Sequence, residues 1–407
     1  MEQTAREAIR EALSACVRCG ACMQVCPVYR AGRREKLVAR GKLRLLEGLE
    51  GGPLTASREL AQTLGRCLLC GRCSANCPNQ VPAMEALRAG RELVARAVGL
   101  PLLKRLILDQ ALPHPRRLDL LARAAGLAQP LTGGALPLAS GLNLRLAGLE
   151  MAASLPPLAT RPFLADAPRE VAGPSGAPRL GLFVGCVANY LRPGLAQRAV
   201  RLLSQVATVV IPPQGCCGLP AVGAGLSDTA AGLAASFVES FGRARVDKIV
   251  TACGSCAYSL AKEAPRLLDT PEARRLAGSV LEISQVLAEH PRLLARLGGD
   301  RRPVAVHDPC HLKVGLKVSE EPRAMLKAAG VDLVEMAGAD QCCGGGGLFS
   351  VNQPELSQQI LEPRKQALAL SGARVLATSC SGCHLQWLWG LEGAAQVVHP
   401  LELLNGP

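Results

Sequence analysis

The sequence predicts a multidomain α+β fold, in which an α-helical, cysteine-rich domain precedes two tandem α/β domains with parallel sheets. Three observations predict it. The eight cysteines of the first 100 residues lie in two copies of one short motif, separated by helical patterns. The other ten cysteines lie in two copies of a longer pattern. Within each longer copy, short apolar runs alternate with amphipathic segments, which is typical of a parallel α/β domain.

The composition is that of a globular protein, since 49% of the 407 residues are hydrophobic and 19% are charged. Residues 1–14 mix acidic and basic side chains without an apolar core, so they predict no secretory signal. The uncharged run of residues 124–144 contains prolines and glycines, and we predict no transmembrane segment there. We therefore expect a cytoplasmic protein, with peripheral contact at the inner face of the cytoplasmic membrane left open.

The eighteen cysteines predict metal sites. In a chain without an export signal we do not expect them to form disulfides, because the cytosol keeps thiols reduced. Residues 16–27 have the spacing C-x2-C-x2-C-x3-C-P, and residues 67–78 repeat it. Such spacing lets three thiolates surround one cubane cluster while the fourth cysteine reaches a second cluster.

We therefore predict two cubane [4Fe–4S] clusters in an α-helical ferredoxin domain of residues 1–100. A pair of structural zinc sites is the alternative, but zinc sites do not usually add a third equally spaced cysteine or a following proline. Helical periodicity over residues 35–49, 55–64 and 84–98 predicts that the domain is helical. The predicted ligands are Cys16, Cys19, Cys22 and Cys77 for one cluster, and Cys67, Cys70, Cys73 and Cys26 for the other.

The formal net charge of +13 invites a nucleic-acid function, which two observations oppose. Aromatic residues make up 2% of the chain, so no platform for stacking bases is apparent. In addition, an oxidised cubane cluster with its four thiolates carries a charge of about −2, which lowers the net charge of the loaded protein. We predict no nucleic-acid partner.

Residues 101–178 are predicted to be a helical linker or docking segment. Residues 102–110 and 118–128 have the pattern of short amphipathic helices. A docking surface for a partner subunit or a membrane is one interpretation, and a linker that packs between domains is the favoured one. Residues 165–178 are rich in proline and glycine, which predicts an exposed linker.

The cysteines of the C-terminal half indicate an internal duplication, with domains predicted at residues 179–297 and 302–407. Corresponding cysteines are 124 to 127 positions apart. The arrangement uses all ten remaining cysteines, so unrelated packing cysteines are an improbable explanation. The first set is Cys186, Cys216, Cys217, Cys253 and Cys256, and the second is Cys310, Cys342, Cys343, Cys380 and Cys383.

A short apolar run precedes each cysteine group and predicts a strand. Because ligands collect at the carboxyl ends of parallel strands, each set should converge at one edge of its sheet. Helices are predicted at residues 195–206, 230–243 and 356–370, the last kinked or split at Pro363. The predicted strands cover residues 180–184, 208–211, 248–251, 304–307, 333–336 and 375–378.

Two further patterns are discounted. Cys380, Cys383 and His384 match the C-x-x-C-H haem attachment pattern, but haem attachment needs export and the first copy has Ala257 in place of the histidine. Residues 344–347 are four glycines that lack the Gly-Lys-Ser/Thr ending of a phosphate loop. Close approach of the backbone to a cluster is the favoured use of these glycines.

Taken together, these motifs resemble the iron–sulfur subunit of bacterial glycolate oxidase and related D-lactate dehydrogenases. The resemblance covers almost the whole chain and includes residues 39–43, 307–312 and 341–344. The same architecture is shared by the iron–sulfur subunit of anaerobic glycerol-3-phosphate dehydrogenase and by the catalytic subunit of heterodisulfide reductase. Both cysteine sets are complete here, as in heterodisulfide reductase, whereas glycolate oxidase subunits often lack some of these cysteines.

The resemblance implies two tandem CCG cysteine-rich domains that hold one or two further, non-cubane [4Fe–4S] clusters. It also implies an iron–sulfur subunit that takes electrons from an FAD flavoprotein oxidising a 2-hydroxy acid, such as glycolate or D-lactate, and passes them to a quinone or another acceptor. No G-x-G-x-x-G flavin fingerprint is present, so we expect no catalytic residue or flavin site in this chain. The alternatives are a heterodisulfide-reductase-like subunit that reduces a disulfide at a non-cubane cluster, the glycerol-3-phosphate dehydrogenase subunit, and a zinc-binding interaction protein.

Overall fold

The computed structural model describes residues 2–132 and 158–406. Its N-terminal region is helical. The cysteines of each ferredoxin motif lie in short helices and the turns before them, and longer helices flank the motifs. The helices are α1 (Glu2–Ala15), α2 (Ala21–Val25), α3 (Pro27–Gly32), a 3-10 turn (Glu35–Leu37), α4 (Ala39–Gly51), α5 (Arg58–Gly65), α6 (Arg72–Ala75) and α7 (Ala83–Val98).

Packing of α1, α4, α5 and α7 forms the core of this region. Ile9, Leu46, Leu64 and Leu87 are almost completely buried and belong to one apolar cluster, which thiols from both motifs border. Their helical spacing turns one apolar face of each helix inward. The core therefore holds the two cysteine motifs side by side, and the helices predicted over residues 35–49, 55–64 and 84–98 are observed with small shifts at their ends.

The segment after α7 forms a pair of helices. Helix α8 (Leu102–Arg105) continues as a π-helix (Leu106–Ala111), and α9 (Pro115–Thr132) follows a short turn. Both predicted helices of this segment are therefore observed. After the undescribed residues 133–157, α10 (Phe163–Asp166) leads into a short strand, β1 (Glu170–Val171). β1 pairs with a strand of the following sheet, so part of the predicted exposed linker is instead a sheet edge.

Two sheets follow, and their parallel strands have the same order. The first sheet is ordered β1-β3-β2-β4-β5 and the second β7-β6-β8-β9. All strand pairs are parallel except that of β1 with β3. The strands are β2 (Arg179–Leu182), β3 (Thr208–Val210), β4 (Lys248–Thr251), β5 (Val280–Glu282), β6 (Val304–His307), β7 (Leu333–Val334), β8 (Val375–Thr378) and β9 (Gln396–Val398).

The predicted parallel sheets are thus confirmed, and the six predicted strands are all present. The edge strands β5 and β9 lie outside the prediction. Helices cover the sheets: α11 (Cys186–Tyr190), α12 (Pro193–Leu203), α13 (Leu219–Ala224), α14 (Ser227–Arg243), α15 (Gly254–Tyr258), a π-helix (Ser259–Glu263), α16 (Ala264–Leu268), α17 (Pro271–Ala277), α18 (Ile283–Leu287), α19 (Pro291–Leu297), a π-helix (His311–Leu316), α20 (Glu320–Ala328), α21 (Phe349–Asn352), α22 (Pro354–Leu370), α23 (Ser381–Leu391) and a 3-10 helix (Pro400–Leu403).

The two halves share one apolar core. Leu182 and Val250 of the first sheet belong to the same buried cluster as Val306 and Ala377 of the second, so burial of each sheet depends on the other half. Helix α22 continues through Pro363, so the helix is not split there. Within residues 2–132 and 158–406, no helix combines the length and the apolar character needed to cross a membrane. Most of the uncharged run at residues 124–144 lies outside the described residues.

Candidate iron–sulfur sites

Three cysteines of the first ferredoxin motif share a cavity with the last cysteine of the second motif. We call this group site 1. Among the described residues that line the cavity there is no carboxylate, and Arg18 and Arg40 are the cationic ones. The thiol of Cys19 is exposed, which places site 1 at the protein surface. The group consists of Cys16, Cys19, Cys22 and Cys77; Cys73 also lines this cavity, at the side shared with the second cavity.

The complementary exchange occurs at a second cavity, which we call site 2. Its wall again has no carboxylate among the described residues, and its cations are the buried Lys42 and Arg72, which also pairs with Asp340 over 3.1 Å. Backbone N–H groups face two of the thiols: Tyr29 donates to Cys26 over 3.4 Å and Leu69 donates to Cys67 over 3.5 Å. Site 2 consists of Cys26, Cys67, Cys70 and Cys73.

Burial makes three thiols of site 2, those of Cys26, Cys70 and Cys73, weaker acids in the absence of a metal. Burial, together with repulsion between like charges from Cys67, Cys26 and Cys22, raises the pKa of Cys73 to about 12. The influence of Cys22 also shows that site 1 adjoins site 2. Four thiolates this close together need a cationic centre, and iron supplies one.

The five cysteines of the first repeat converge at the carboxyl ends of the strands. Cys186 begins α11 after β2, the adjacent pair follows β3, and the last two follow β4. These strands flank the point where the connections change direction in the sheet, which is where parallel α/β domains bind ligands. We call this group site 4; it consists of Cys186, Cys216, Cys217, Cys253 and Cys256.

Contacts between thiols join the members of site 4. The thiol of Cys216 interacts with those of Cys186 and Cys217, and the thiol of Cys256 interacts with those of Cys217 and Cys253. These interactions raise the pKa of Cys216 and Cys256 well above that of a free thiol and lower the pKa of Cys217. The pKa of Cys253 is lowered in the same way, so protonated neighbours stabilise two thiolates of the group, and a cationic metal core is what allows all five to be thiolates.

The second repeat builds the corresponding group, site 3, at the second sheet. Cys310 interacts with Cys342, and Cys383 interacts with Cys343 and Cys380. The site consists of Cys310, Cys342, Cys343, Cys380 and Cys383. In the second sheet, β6, β7 and β8 occupy the positions that β2, β3 and β4 occupy in the first sheet. The predicted convergence of each cysteine set at one edge of its sheet is therefore observed in both repeats.

The glycine that follows each cysteine pair adopts a backbone conformation that the turn at this position requires. Gly218 and Gly344 have positive φ angles of 82° and 84°, which side-chain-bearing residues rarely adopt. The Gly344 N–H also donates to the Cys342 sulfur over 3.3 Å. The next two glycines of the run approach protein groups: a Cβ at Gly345 would lie 3.0 Å from the carbonyl oxygen of Gly382, and one at Gly346 would lie 2.3 Å from the side chain of Leu68. The small size of Gly346 therefore permits contact between the N-terminal region and the second repeat.

The four sites form a spatial series. Cys70 of site 2 neighbours Cys342 and Cys310 of site 3, and each influences the pKa of the other site's thiols. Cys253 of site 4 interacts directly with Cys380 of site 3. The order in space is therefore site 1, site 2, site 3, site 4, which means that the first repeat lies at the far end.

Polar side chains that sequence reasoning did not assign lie where sites 3 and 4 meet. The Ser255 hydroxyl lies 3.1 Å from the Cys380 sulfur and 2.9 Å from Nδ1 of His311. The His311 ring stacks on Tyr258, with ring centroids 4.7 Å apart. The sequence does place a serine inside the Cys253–Cys256 group and a histidine beside Cys310, but only the fold brings them together.

His307 is a second unassigned residue, and it distinguishes the two repeats. A ring nitrogen of His307 and the sulfurs of Cys343 and Cys383 all lie within 4.8 Å of one another. Burial lowers the pKa of His307 to about 4, so its imidazole is neutral and able to bind a metal. The aligned position in the first repeat is Phe183, which has no ligand atom.

Comparisons with known proteins agree with this geometry. Residues 12–81 match the family described as 4Fe-4S dicluster domain, and residues 180–261 and 304–387 each match the family described as Cysteine-rich domain, or CCG. Lactate utilization protein A of Shouchella clausii is 30% identical over 236 residues, which are 56% of this chain and 98% of that protein. The chain belongs to the CCG iron–sulfur family.

The likeness extends over nearly the full length of another relative of the CCG iron–sulfur family. The probable glycolate oxidase iron-sulfur subunit of Bacillus subtilis is 28% identical over 96% of this chain and 92% of that protein. A crystal structure of a hypothetical protein from Helicobacter pylori shares the fold, with a TM-score of 0.52 at 11% identity, over 99% of this chain and 75% of that one. The predicted resemblance is confirmed, and the chain is an iron–sulfur electron-transfer protein.

Proposed function

We propose that this chain is the iron–sulfur subunit of a flavin-dependent 2-hydroxy acid dehydrogenase, with glycolate or D-lactate as substrate of the partner flavoprotein. The observation that carries the proposal is the continuous series of four thiol sites in a chain without a flavin fingerprint. A row of neighbouring redox centres is suited to moving electrons between two partners. The names of the relatives support the choice of substrate class.

The cluster content belongs to the same proposal. Sites 1 and 2 hold one cubane [4Fe–4S] cluster each, with Cys77 and Cys26 exchanged between the motifs. Sites 3 and 4 each offer five thiols, one more than a cubane needs, which supports a non-cubane cluster at one or both. The clusters, when bound, accept and release single electrons.

The residues of this chain have three tasks in such a relay. The cysteines fix the spacing of the centres, N–H groups directed at sulfur stabilise negative charge, and buried cations such as Lys42 raise the potential of the neighbouring centre. Site 1 is the end at which the flavoprotein delivers electrons, since Cys19 is exposed there. Site 4 is the end that serves a quinone or another acceptor.

Iron analysis and activity measurements test the proposal. Anaerobically purified chain should be brown and contain at least about eight irons, rising to about sixteen if sites 3 and 4 both fill. It should not oxidise 2-hydroxy acids alone and should do so once combined with the flavoprotein. Stoichiometric zinc without iron after reconstitution, or 2-hydroxy acid oxidation by the flavin-free chain, contradicts the proposal.

Disulfide reduction is a second candidate, favoured by the junction of sites 3 and 4. Ser255 and His311 place a hydroxyl and an imidazole beside Cys380, which are groups able to pass a proton. Reduction of a disulfide to two thiols consumes two electrons and two protons. Reduced viologen dye as electron donor, with a heterodisulfide as substrate, should yield two thiols per disulfide if this activity is present, and no thiol if it is not.

A further inference from the structure

The helix pair of residues 102–121 exposes most of the large apolar side chains found on the surface. We call the residues concerned the leucine face. Nine large hydrophobic side chains are exposed among residues 2–125 and 158–406, and six of them lie in this short segment. A concentration of exposed apolar side chains of this kind indicates an interaction site. The face consists of Leu102, Leu103, Leu106, Ile107, Leu120 and Leu121.

The basic and the acidic residues around the leucine face differ in their surroundings. Arg105, Arg116 and Arg117 are exposed, and Lys104 is half-buried. The two acidic residues of the segment instead bind groups of the protein. Asp109 accepts a hydrogen bond from Thr229, with Arg105 3.9 Å away, and Asp119 accepts one from the Tyr190 hydroxyl over 2.6 Å.

The opposite side of the helix pair covers site 4. Leu108 and Leu112 are buried in one apolar cluster with Cys216, and Cys186 and Cys217 border that cluster. A single layer of helix, about 10 to 12 Å across, therefore separates the last thiol site of the series from the exposed leucines.

We propose that the leucine face lies in the surface of an anionic lipid bilayer and holds site 4 beside it. A helix that lies in the headgroup region of a membrane has apolar side chains bordered by basic ones. The apolar side chains insert at the boundary with the acyl chains, and the arginines attract anionic lipid headgroups. The bilayer is also where a lipid-soluble electron acceptor dissolves. The link to a lipid-soluble electron acceptor rests on the proposed function, whereas the proposed binding to the membrane does not.

Vesicle flotation with the full, cluster-loaded chain tests the proposal. Wild-type protein should float with vesicles of phosphatidylcholine and phosphatidylglycerol and bind at least about tenfold less to phosphatidylcholine alone, since each basic residue near an anionic surface contributes about 1 kcal/mol. Leu102→Asp combined with Leu120→Asp should lower binding by at least about tenfold. Those two side chains are 83% and 70% exposed, so their replacement leaves the core intact.

Matched controls separate a specific surface from a general effect. Leu370 is 89% exposed on α22, far outside the leucine face, and Leu370→Asp should bind like wild type. Arg116→Glu with Arg117→Glu should reduce binding to anionic vesicles, whereas Arg292→Glu with Arg296→Glu, on exposed α19 positions, should reduce it much less.

Two readouts keep this inference separate from the proposed function. Iron content and electron transfer from dithionite to a soluble dye should be unchanged in the leucine variants, so loss of flotation leaves the relay intact. The proposal is wrong if wild-type protein does not float, or if neither lipid charge nor the leucine substitutions alter flotation. It is also wrong if the same substitutions instead break the complex with the flavoprotein, because the face is then a subunit interface.

Discussion

At the scale of single residues, the exchange of one cysteine between the two ferredoxin motifs is the most direct feature to test. Cys77 is the last cysteine of the second motif but lines the cavity of site 1, while Cys26, the last cysteine of the first motif, lines the cavity of site 2. Loss of one ligand from a four-ligand cluster should therefore damage the cluster of the other motif.

The Cys77→Ser variant should lose or convert the cluster held by Cys16, Cys19 and Cys22 and leave site 2 intact. Its mirror variant, Cys26→Ser, should do the reverse. Electron paramagnetic resonance of the reduced protein, with iron analysis, distinguishes the two clusters. Damage confined to the centre of Cys67, Cys70 and Cys73 in the Cys77→Ser variant would show that the assignment is wrong.

Lys42 is a buried cation beside site 2, and it provides a second residue-scale prediction. Burial lowers the pKa of its ammonium group, while the thiols of Cys67 and Cys26 oppose that change. A unit charge at contact range is worth about 2 to 4 kcal/mol at an effective dielectric constant of about 20. Lys42→Met should therefore lower the reduction potential of the site 2 cluster by on the order of 100 mV.

A potentiometric titration followed by electron paramagnetic resonance measures this change. Arg44→Met is the matched control, because Arg44 is an exposed cation two positions along the same helix. It should leave the potential nearly unchanged, since water and salt screen its charge. Equal shifts in both variants would mean that Lys42 has no special influence on site 2.

At the scale of elements, α7 fastens the N-terminal region to the first repeat. Its Arg88 forms a buried ion pair with Glu263 over 2.5 Å and donates a hydrogen bond to the Tyr258 hydroxyl over 2.7 Å. Both charged side chains are almost completely removed from water. On the same helix, Arg96 pairs with Asp228 over 2.8 Å at the surface.

The two ion pairs should differ greatly in their contribution to stability. Arg88→Met leaves the buried Glu263 with Arg266 as its remaining ion-pair partner among the described residues, and it should lower the free energy of unfolding by about 3 kcal/mol. Arg96→Met should lower it by at most about 1 kcal/mol. Anaerobic thermal unfolding of both variants compares them, and similar melting temperatures would show that the Arg88 pair does not hold the interface.

At the scale of the whole molecule, the order of the sites has a consequence for electron flow. Site 3 lies between site 2 and site 4, although it belongs to the last part of the chain. Removing the cluster of site 3 should interrupt transfer between the front sites and site 4. Removing the cluster of site 4 should leave the first three centres in contact.

Paired cysteine variants test this order. Cys342→Ser with Cys343→Ser should prevent reduction of site 4 by the flavoprotein, whereas Cys216→Ser with Cys217→Ser should leave reduction of site 3 unaffected. Rapid mixing of the complex with 2-hydroxy acid, followed by freeze-quench spectroscopy, reports each centre. Normal reduction of site 4 in the first variant would mean that electrons take another route.

The sequence by itself determined the kind of chemistry and the local structure. Motif spacing depends on which thiolates a short backbone turn can bring around one cluster, and this local constraint is visible in residues 16–27 and 67–78. Apolar runs before each cysteine group likewise predicted β2, β3, β4, β6, β7 and β8, since a buried parallel strand must be apolar. The edge strands β5 and β9 have no cysteine group after them to mark them, and they were missed.

The tertiary structure alone decided which sites are neighbours. Cys253 contacts Cys380 because the two sheet units pack on each other, and Cys70 lies beside Cys342 because the N-terminal region packs on the second repeat. Both pairs join residues more than a hundred positions apart in the sequence. No local pattern records such packing, because it depends on the complementary shapes of distant apolar surfaces. The helices of residues 102–121 illustrate the same difference. Their apolar character is visible in the sequence, but only the fold shows that one side covers site 4 and that the other side is exposed to solvent.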